Sequence, residues 1–272
     1  MESLCKFWKS LKVKKLQSIT ADDLEDAHRV ALRIISKCKS EDVGIISFYE
    51  SIFPEILKSC VNEEGKLDPP ILLYYRGNLD VLKKLGIAVI GTREPTRNGI
   101  LAGKHFSGEF AKRGYNIVSG LAVGGATTAF LANGLDWDSI YPKENLDLAK
   151  EIVVKRGLLL SEYPVGQSCG RYGLVARDRL QAGLSYATVV VQTGVKGGTM
   201  HAVNATIQSK KPLFAVEYKT DEDTSNEKVQ GNIKLVKEQK AYALRSTGID
   251  DACSIIEKAH KSINPVQQQS LF

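Results

Sequence analysis

Short apolar runs alternate with stretches of helical periodicity along most of the chain. The runs are rich in β-branched residues, Leu and Ala, which favours buried strands, and they cover residues 43–47, 71–75, 86–91, 116–119, 128–132, 157–162, 188–192 and 213–216. Apolar residues at helical spacing predict helices over residues 24–37, 98–113, 145–156 and 199–209. This alternation indicates an α/β fold built on a doubly wound, mostly parallel sheet, with a small N-terminal helical region.

Other segments lack a clear period. Residues 168–180 are polar, residues 218–235 are predicted to form a mobile loop, and residues 232–259 contain one or two helical stretches. The end of the chain is rich in glutamine and turn-forming residues, which predicts disorder. We therefore expect an N-terminal helical region at 1–40, the α/β domain at 41–260 and a flexible tail at 261–272.

Glycine turns follow the predicted strands at their carboxyl ends, where doubly wound sheets bind ligands. The turns are Gly91-Thr92-Arg93, Ser119-Gly120 and Lys196-Gly197-Gly198-Thr199. The last opens onto a helix, whose exposed amides and dipole suit a phosphate group, and glycines let a ligand approach the backbone. The alternative is a set of tight βα turns with surface cations. We favour phosphate binding, because several such turns fall at neighbouring strand ends.

Arginines are concentrated in the polar segment before the strand at 188–192. Arg171, Arg177 and Arg179 precede that strand at the same expected edge of the sheet. They are either a solvated helix face or contacts to a sugar-phosphate chain, for which guanidinium groups are well suited. We favour the nucleic-acid contact.

Composition narrows the function classes further. The 272 residues carry a net charge of +6, which fits a polyanionic partner better than an acidic one. Five scattered cysteines without a C-x-x-C pair indicate reduced thiols and no zinc site, and four scattered histidines form no ligand cluster. Neither a signal-peptide core nor a membrane-spanning run is evident. We expect a cytoplasmic protein that does not bind a membrane and needs neither a metal ion nor a cofactor.

The first 19 residues mix lysines with apolar residues. Lys6, Lys9, Lys12, Lys14 and Lys15 alternate with Leu4, Phe7, Trp8, Leu11 and Leu16. An amphipathic surface helix explains this pattern, and a basic arm for nucleic acid or a partner is the alternative. We favour the helix, because runs of charge are usually solvated faces.

A series of motifs in fixed order resembles the DprA/Smf family of bacterial DNA-processing proteins. It covers residues from about 46 to 252 and comprises FYESIFPEIL (48–57), DPPILLYYRG (68–77), IAVIGTR (87–93), IVSGLA (117–122), NGLDWDSIYPKEN (133–145), LSEYP (160–164), ARDRLQAGLS (176–185), the glycine turn after residue 192 and GNIKLVK (231–237). No motif is decisive alone, but this many in order are highly specific.

The resemblance implies an extended Rossmann-like fold and a basic pocket for single-stranded DNA. It also implies a homodimer that protects the strand and passes it to a RecA-type recombinase during DNA uptake or recombination. By position, Arg93 falls in the family's G-S-R loop, and Arg177 and Arg179 fall in its R-N-R segment. Asp178 replaces the family's Asn there, which could weaken phosphate contact or pair with an arginine.

The largest departure from the family follows Ala122. The family continues with a helix of about three turns before its next strand, whereas this chain passes directly from VGGATT to AFLAN. Adjacent parallel strands normally need a crossover of about a dozen residues. We therefore expect a hairpin, a lost strand, or a helix supplied by another chain. The family's C-terminal winged-helix-like domain is not evident either.

An enzymatic alternative comes from the same glycine turn. It resembles the P-G-G-x-G-T-x-x-E motif of the Lonely-Guy type phosphoribohydrolases, whose glutamate performs acid–base chemistry. Ala202 occupies the position of that glutamate. We therefore predict a binding protein without catalytic residues. The second hypothesis is a nucleotide-binding or nucleotide-hydrolysing sensor of the same superfamily, acting in phage defence.

The last five residues, QQSLF, resemble the peptide with which bacterial repair and replication proteins bind the sliding clamp. In that interpretation Leu271 and Phe272 enter an apolar pocket, and Gln268 forms a hydrogen bond at its rim. The alternative is an ordinary frayed tail.

Overall fold

The computed structural model describes residues 1–11, 14, 17–120, 127–170 and 173–263. Its strands form one nine-stranded sheet in the order β1-β2-β6-β5-β4-β3-β7-β8-β9. The strands are β1 Gly44–Ser47, β2 Leu72–Gly77, β3 Gly86–Ile90, β4 Asn116–Ser119, β5 Thr127–Leu131, β6 Leu158–Ser161, β7 Ala187–Val190, β8 Leu213–Val216 and β9 Tyr242–Leu244. β2 pairs antiparallel with both of its neighbours, β1 and β6. Every other neighbouring pair in this order is parallel.

Helices cover both faces of this sheet. They are α1 Glu2–Ser10, α2 Ala21–Ser40, α3 Arg97–Lys112, α4 Leu146–Val154, α5 Gly173–Leu184, α6 Met200–Gln208, α7 Asp221–Ser225, α8 Gln230–Lys237 and α9 Ile249–Ile263. Ile87 and Val89 of β3 share a core with Phe106 of α3, whereas Ala88 and Ile90 share one with Val203 of α6. Alternate strand residues point to opposite faces. The predicted α/β class and doubly wound arrangement are therefore confirmed.

The direction of strand addition changes between β3 and β7. From β3 the chain adds β4, β5 and then β6 on one side, and β7 returns to the other side of β3 and continues to β8 and β9. The connections that leave these two strands therefore run apart. Such a switch point opens a crevice at the carboxyl ends of the strands, which is where ligands of this fold bind.

The predicted rearrangement between β4 and β5 is wrong in two of its forms. β5 is present, and it pairs parallel to β4, with Ile117 opposite Thr127 and Ser119 opposite Ala129. A hairpin and a lost strand are therefore both excluded. No residue of β4 or β5 is more than 3% exposed in the single chain, so these strands need no borrowed helix to cover them.

One further prediction, the loop at 218–235, is wrong, and two elements, α5 and β9, were not predicted. The polar segment at 168–180 contains the start of α5, which buries Gln181 and Gly183 and so lacks a clear apolar stripe. The expected loop at 218–235 contains α7 and α8, because Thr220 caps α7 and Asn98 Nδ2 donates to both carboxylate oxygens of Asp223 at 3.0 Å. β9 is three residues long with one buried position, which is too short for a detectable pattern.

The N-terminal region contains two helices, as the amphipathic pattern predicts. Thr20 caps α2 through a capping box with Asp23, and Cys38 near its other end is buried against the sheet domain. In the described part of the chain, no helix has the length and apolar content needed to cross a bilayer. The division of the chain at residues 40 and 260 stays a prediction.

Candidate nucleic-acid interface

Two connections meet at the switch point: residues 91–96 after β3 and residues 191–199 after β7. Gln192, fully buried, joins them, because its carbonyl accepts from Thr92 N at 2.8 Å and its side-chain oxygen accepts from Thr96 N at 2.9 Å. Gln192 Nε2 also donates to Thr96 Oγ1 at 2.9 Å. Thr96 caps α3. Gln192 thus fixes the loop that carries Arg93, a role that its position in an apolar run did not reveal.

A second buried amide holds the glycine turn after β7. Asn232 Oδ1 accepts from Thr193 N at 2.9 Å, and Asn232 Nδ2 donates to the carbonyls of Val190, Val191 and Val216 at 2.9 to 3.2 Å. Both amide hydrogens of this side chain and one lone pair of its oxygen are engaged, so the turn is held rigidly. The GNIKLVK segment is a recognisable motif, but the motif alone does not assign this role to Asn232.

The predicted glycines have different surroundings. A Cβ atom on Gly198 would have no heavy atom within 4 Å, whereas one on Gly120 would lie 2.2 Å from Arg177 Nη1. Gly198 is exposed and φ there is not left-handed, so folding does not require glycine at this position. A side chain at position 120 would displace the guanidinium group of Arg177.

Arg177 lies under the end of β4 and is largely buried, with 12% of its side chain exposed. Its Nη1 donates to Phe130 O at 2.8 Å, and its Nε lies 3.1 Å from Asp178 Oδ1. The Gln181 amide satisfies both its oxygen and its nitrogen in one orientation. In that orientation its oxygen accepts from Arg177 Nε and Nη1 at 3.2 Å and from Gly120 N at 3.1 Å. Arg177 therefore holds the ends of β4 and β5 as well as contributing charge.

Burial has the largest effect on the pKa values of Arg177 and Asp178. It lowers the pKa of Arg177, an effect that the nearby Arg93 adds to and Asp178 opposes. Burial likewise raises the pKa of Asp178, although Arg177, His201 and Arg93 all favour its ionised form. His201 Nδ1 lies 2.6 Å from Glu63 Oε2. Asp178 is thus the acidic centre of a cluster that includes three basic side chains.

Arg179 is occupied by carboxylates. Its Nη1 and Nη2 each donate to Glu162 at 2.7 Å, and its Nε lies 2.6 Å from Asp68 Oδ2. The bidentate pair with Glu162 fixes geometry, so Arg179 joins the middle of α5 to the segment after β6 and, through Asp68, to the loop before β2. This geometry favours positioning over direct phosphate contact.

Two predicted cations are exposed at the switch point. Arg93 and Lys196 are both exposed, and among the described residues neither makes an ion pair. Arg93 lies close enough to Arg177 and Asp178 to change the pKa of each. We call Arg93, Lys196, Gly197, Gly198 and Thr199 the switch-point site, with Gly120, Arg177 and Asp178 as its floor.

The other predicted site residues lie in several parts of the chain. Gly91 and Thr92 lie in the loop that Gln192 holds, and Ser119 is buried at the end of β4. Arg171, Gln268, Leu271 and Phe272 lie outside the described residues. The assignment of the whole set to nucleic-acid binding stays a prediction.

Position 202 does not offer an acid–base group to the site. Ala202 is 1% exposed and packs with Val203 against β3 and β7. Glu162, the carboxylate of the LSEYP motif, forms an ion pair with Arg179.

The family model for DNA recombination-mediator protein A matches residues 44–257 of this chain. The chain belongs to that family. Among curated relatives, the DNA processing protein DprA of Bacillus subtilis is 30% identical over 241 residues, which cover 78% of each chain. Protein Smf of Synechocystis is 36% identical over 170 residues, 56% of this chain and 42% of its own. The predicted membership of the DprA/Smf family is thus confirmed.

Solved structures of the family have the same fold. DprA from Streptococcus pneumoniae gives a TM-score of 0.66 at 27% identity, with 80% of this chain and 77% of that one covered. A structure that describes the single-stranded DNA binding mode of DNA processing protein A from Helicobacter pylori gives 0.64 at 27% identity, with 81% and 96% covered. The extended Rossmann-like fold that the resemblance implied is confirmed.

Proposed function

We propose that this chain binds single-stranded DNA through the switch-point site, without catalysis of its own. The observation that carries the proposal is the convergence of Arg93 and Lys196, both exposed, with the glycine turn at the switch point of the sheet. Backbone amides and cations at such a place suit successive phosphates and carry little base specificity. The single-stranded DNA binding of the Helicobacter pylori relative supports the same ligand.

The cellular role follows the family. We propose that the protein acts in the cytoplasm as a homodimer, protects single strands during DNA uptake or recombination, and passes them to a RecA-type recombinase. A sliding-clamp contact through Gln268, Leu271 and Phe272 remains a separate prediction.

A nucleotide sensor is the second candidate. The observation that favours it is the short connection between β4 and β5, residues 120–126, because the family resemblance implies a helix beside the pocket at this place. A changed pocket wall could select a mononucleotide instead of a strand.

The first test is Arg93→Ala in a fluorescence-anisotropy titration with labelled homopolymers of each base. Loss of one phosphate contact should weaken binding by roughly tenfold at low salt for every sequence alike. Because Arg93 is exposed, the free energy of unfolding should change by less than ~0.5 kcal/mol. Unchanged affinity in a folded variant would place the strand elsewhere.

A further inference from the structure

Asp178 lies in the second turn of α5, where the floor of the switch-point site meets the loop of Arg93. Its side chain is 17% exposed, and Oδ1 lies 3.1 Å from Arg177 Nε. The charged groups that act on it come from three elements: Arg177 on α5, Arg93 on the β3–α3 loop and His201 on α6. Glu63, on the loop before β2, lies 2.6 Å from His201 Nδ1.

Neighbouring carboxylates neutralise the two arginines of α5 at the switch-point site. Arg177 is paired with Asp178, and Arg179 is paired with Glu162 and Asp68. The excess positive charge of the described site therefore comes from Arg93 and Lys196. When Asp178 is ionised, a phosphate that approaches Arg93 also approaches this carboxylate, and the repulsion is weakly screened because Asp178 is mostly buried.

We propose that Asp178 sets the affinity of the switch-point site, weakening phosphate binding when it is ionised and permitting it when it is neutral. The inference rests on the proposed function and concerns the same site.

The surroundings of Asp178 make its charge adjustable. Burial raises the pKa of Asp178 above its usual value, so the carboxyl takes up a proton more readily than an exposed one. A bound phosphate near Arg93 favours that protonation further, because binding and protonation are linked. Affinity for DNA should therefore rise as the pH falls. His201 and Glu63 lie beside the same site, so the contribution of Asp178 has to be isolated by substitution.

The substitution Asp178→Asn isolates the effect of the Asp178 charge with little change in the shape of the side chain. The amide oxygen can still accept from Arg177 Nε, and the amide nitrogen supplies a donor in place of the charge. A matched control is Glu151→Gln, which removes one exposed carboxylate from α4 and changes the net charge of the molecule equally.

The experiment is an anisotropy titration of a labelled dT oligomer at about 50 mM salt, with wild type and both variants at about pH 5.5 and about pH 7.5. At the higher pH we expect Asp178→Asn to bind roughly threefold to tenfold more tightly than wild type, and Glu151→Gln to match wild type. The change in Kd between the two pH values should be smaller in Asp178→Asn than in wild type.

Two outcomes would overturn the inference in different ways. If wild type binds DNA but Asp178→Asn binds no more tightly than Glu151→Gln, the role of Asp178 is wrong and the proposed function stands. If none of the three proteins binds the oligomer at either pH, the proposed function fails, and the inference fails with it.

Discussion

Arg93 and Arg177 are neighbours with opposite surroundings. Arg93 is exposed, whereas Arg177 is tied to Phe130 O, Asp178 and the floor of the site. Sequence motifs place both arginines at one edge of the sheet, but a motif does not reveal burial or pairing. This distinction depends on the packing of α5 under β4 and β5, which only tertiary structure supplies.

Arg177→Met should therefore lower stability as well as DNA binding. The substitution removes the hydrogen bond to Phe130 O and leaves Asp178 without its partner, at a cost of ~2–4 kcal/mol in the free energy of unfolding. Urea denaturation of Arg177→Met and Arg93→Ala separates the two roles. Equal stability of both variants would contradict the structural role of Arg177.

Gly198→Ala tests whether the strand approaches the backbone of the glycine turn. A methyl group there would meet no protein atom within 4 Å, so stability should be unchanged within ~0.5 kcal/mol. Binding of a dT oligomer should fall by roughly tenfold, because the methyl group occupies the path of the ligand. Gly108→Ala on α3 is the matched control, also free of contacts, and should bind normally. Normal binding by Gly198→Ala would exclude close approach at this turn.

At the scale of elements, periodicity found the long and regular pieces. The strands from β1 to β8 and the helices α2, α3, α4 and α6 all fall within or close to their predicted ranges. α5 was missed because it is fixed by contacts rather than by an apolar stripe: Arg179, in the middle of the helix, binds two carboxylates, and Lys211 binds carbonyls at its end. Those partners are distant in sequence, so no local pattern shows them.

Lys211 makes the end of α5 sensitive to pH. Its Nζ donates to Ala182 O at 2.9 Å and Gly183 O at 2.8 Å, and burial lowers its pKa to about 8. Lys211→Met should destabilise the fold by ~1–3 kcal/mol, because it leaves these carbonyls unsatisfied. Between about pH 8 and the unperturbed value of 10.5, the unfolded chain holds this proton and the folded chain releases it. The stability of wild type relative to the variant should therefore increase as the pH rises through this range.

The measurement is urea denaturation of wild type, Lys211→Met and Lys210→Met at about pH 7 and about pH 9.5. Lys210 is exposed, so its variant should keep a constant difference from wild type. A constant difference for Lys211→Met as well would show that Lys211 does not titrate differently in the folded state.

For the whole molecule, the order of motifs was sufficient to predict the family and the doubly wound sheet. The connection after β4 was not predictable, because its length argued against a parallel pair that nevertheless forms. The balance of charge at the site was also hidden, since it depends on carboxylates from residues 63, 68 and 162 that converge on α5 and α6. Fold follows from local pattern here, whereas the electrostatics of the site follow from long-range contacts.

Calorimetry with two ligands tests the proposed function most directly: a dT oligomer of roughly 20 nucleotides and the mononucleotide dTMP. The oligomer should bind wild type, and its affinity should fall by roughly tenfold or more between about 50 and 200 mM salt, because successive phosphates release counterions. The mononucleotide should give no measurable binding under the same conditions. Binding of dTMP as tight as that of the oligomer, or an oligomer affinity that does not respond to salt, would contradict the single-stranded DNA site.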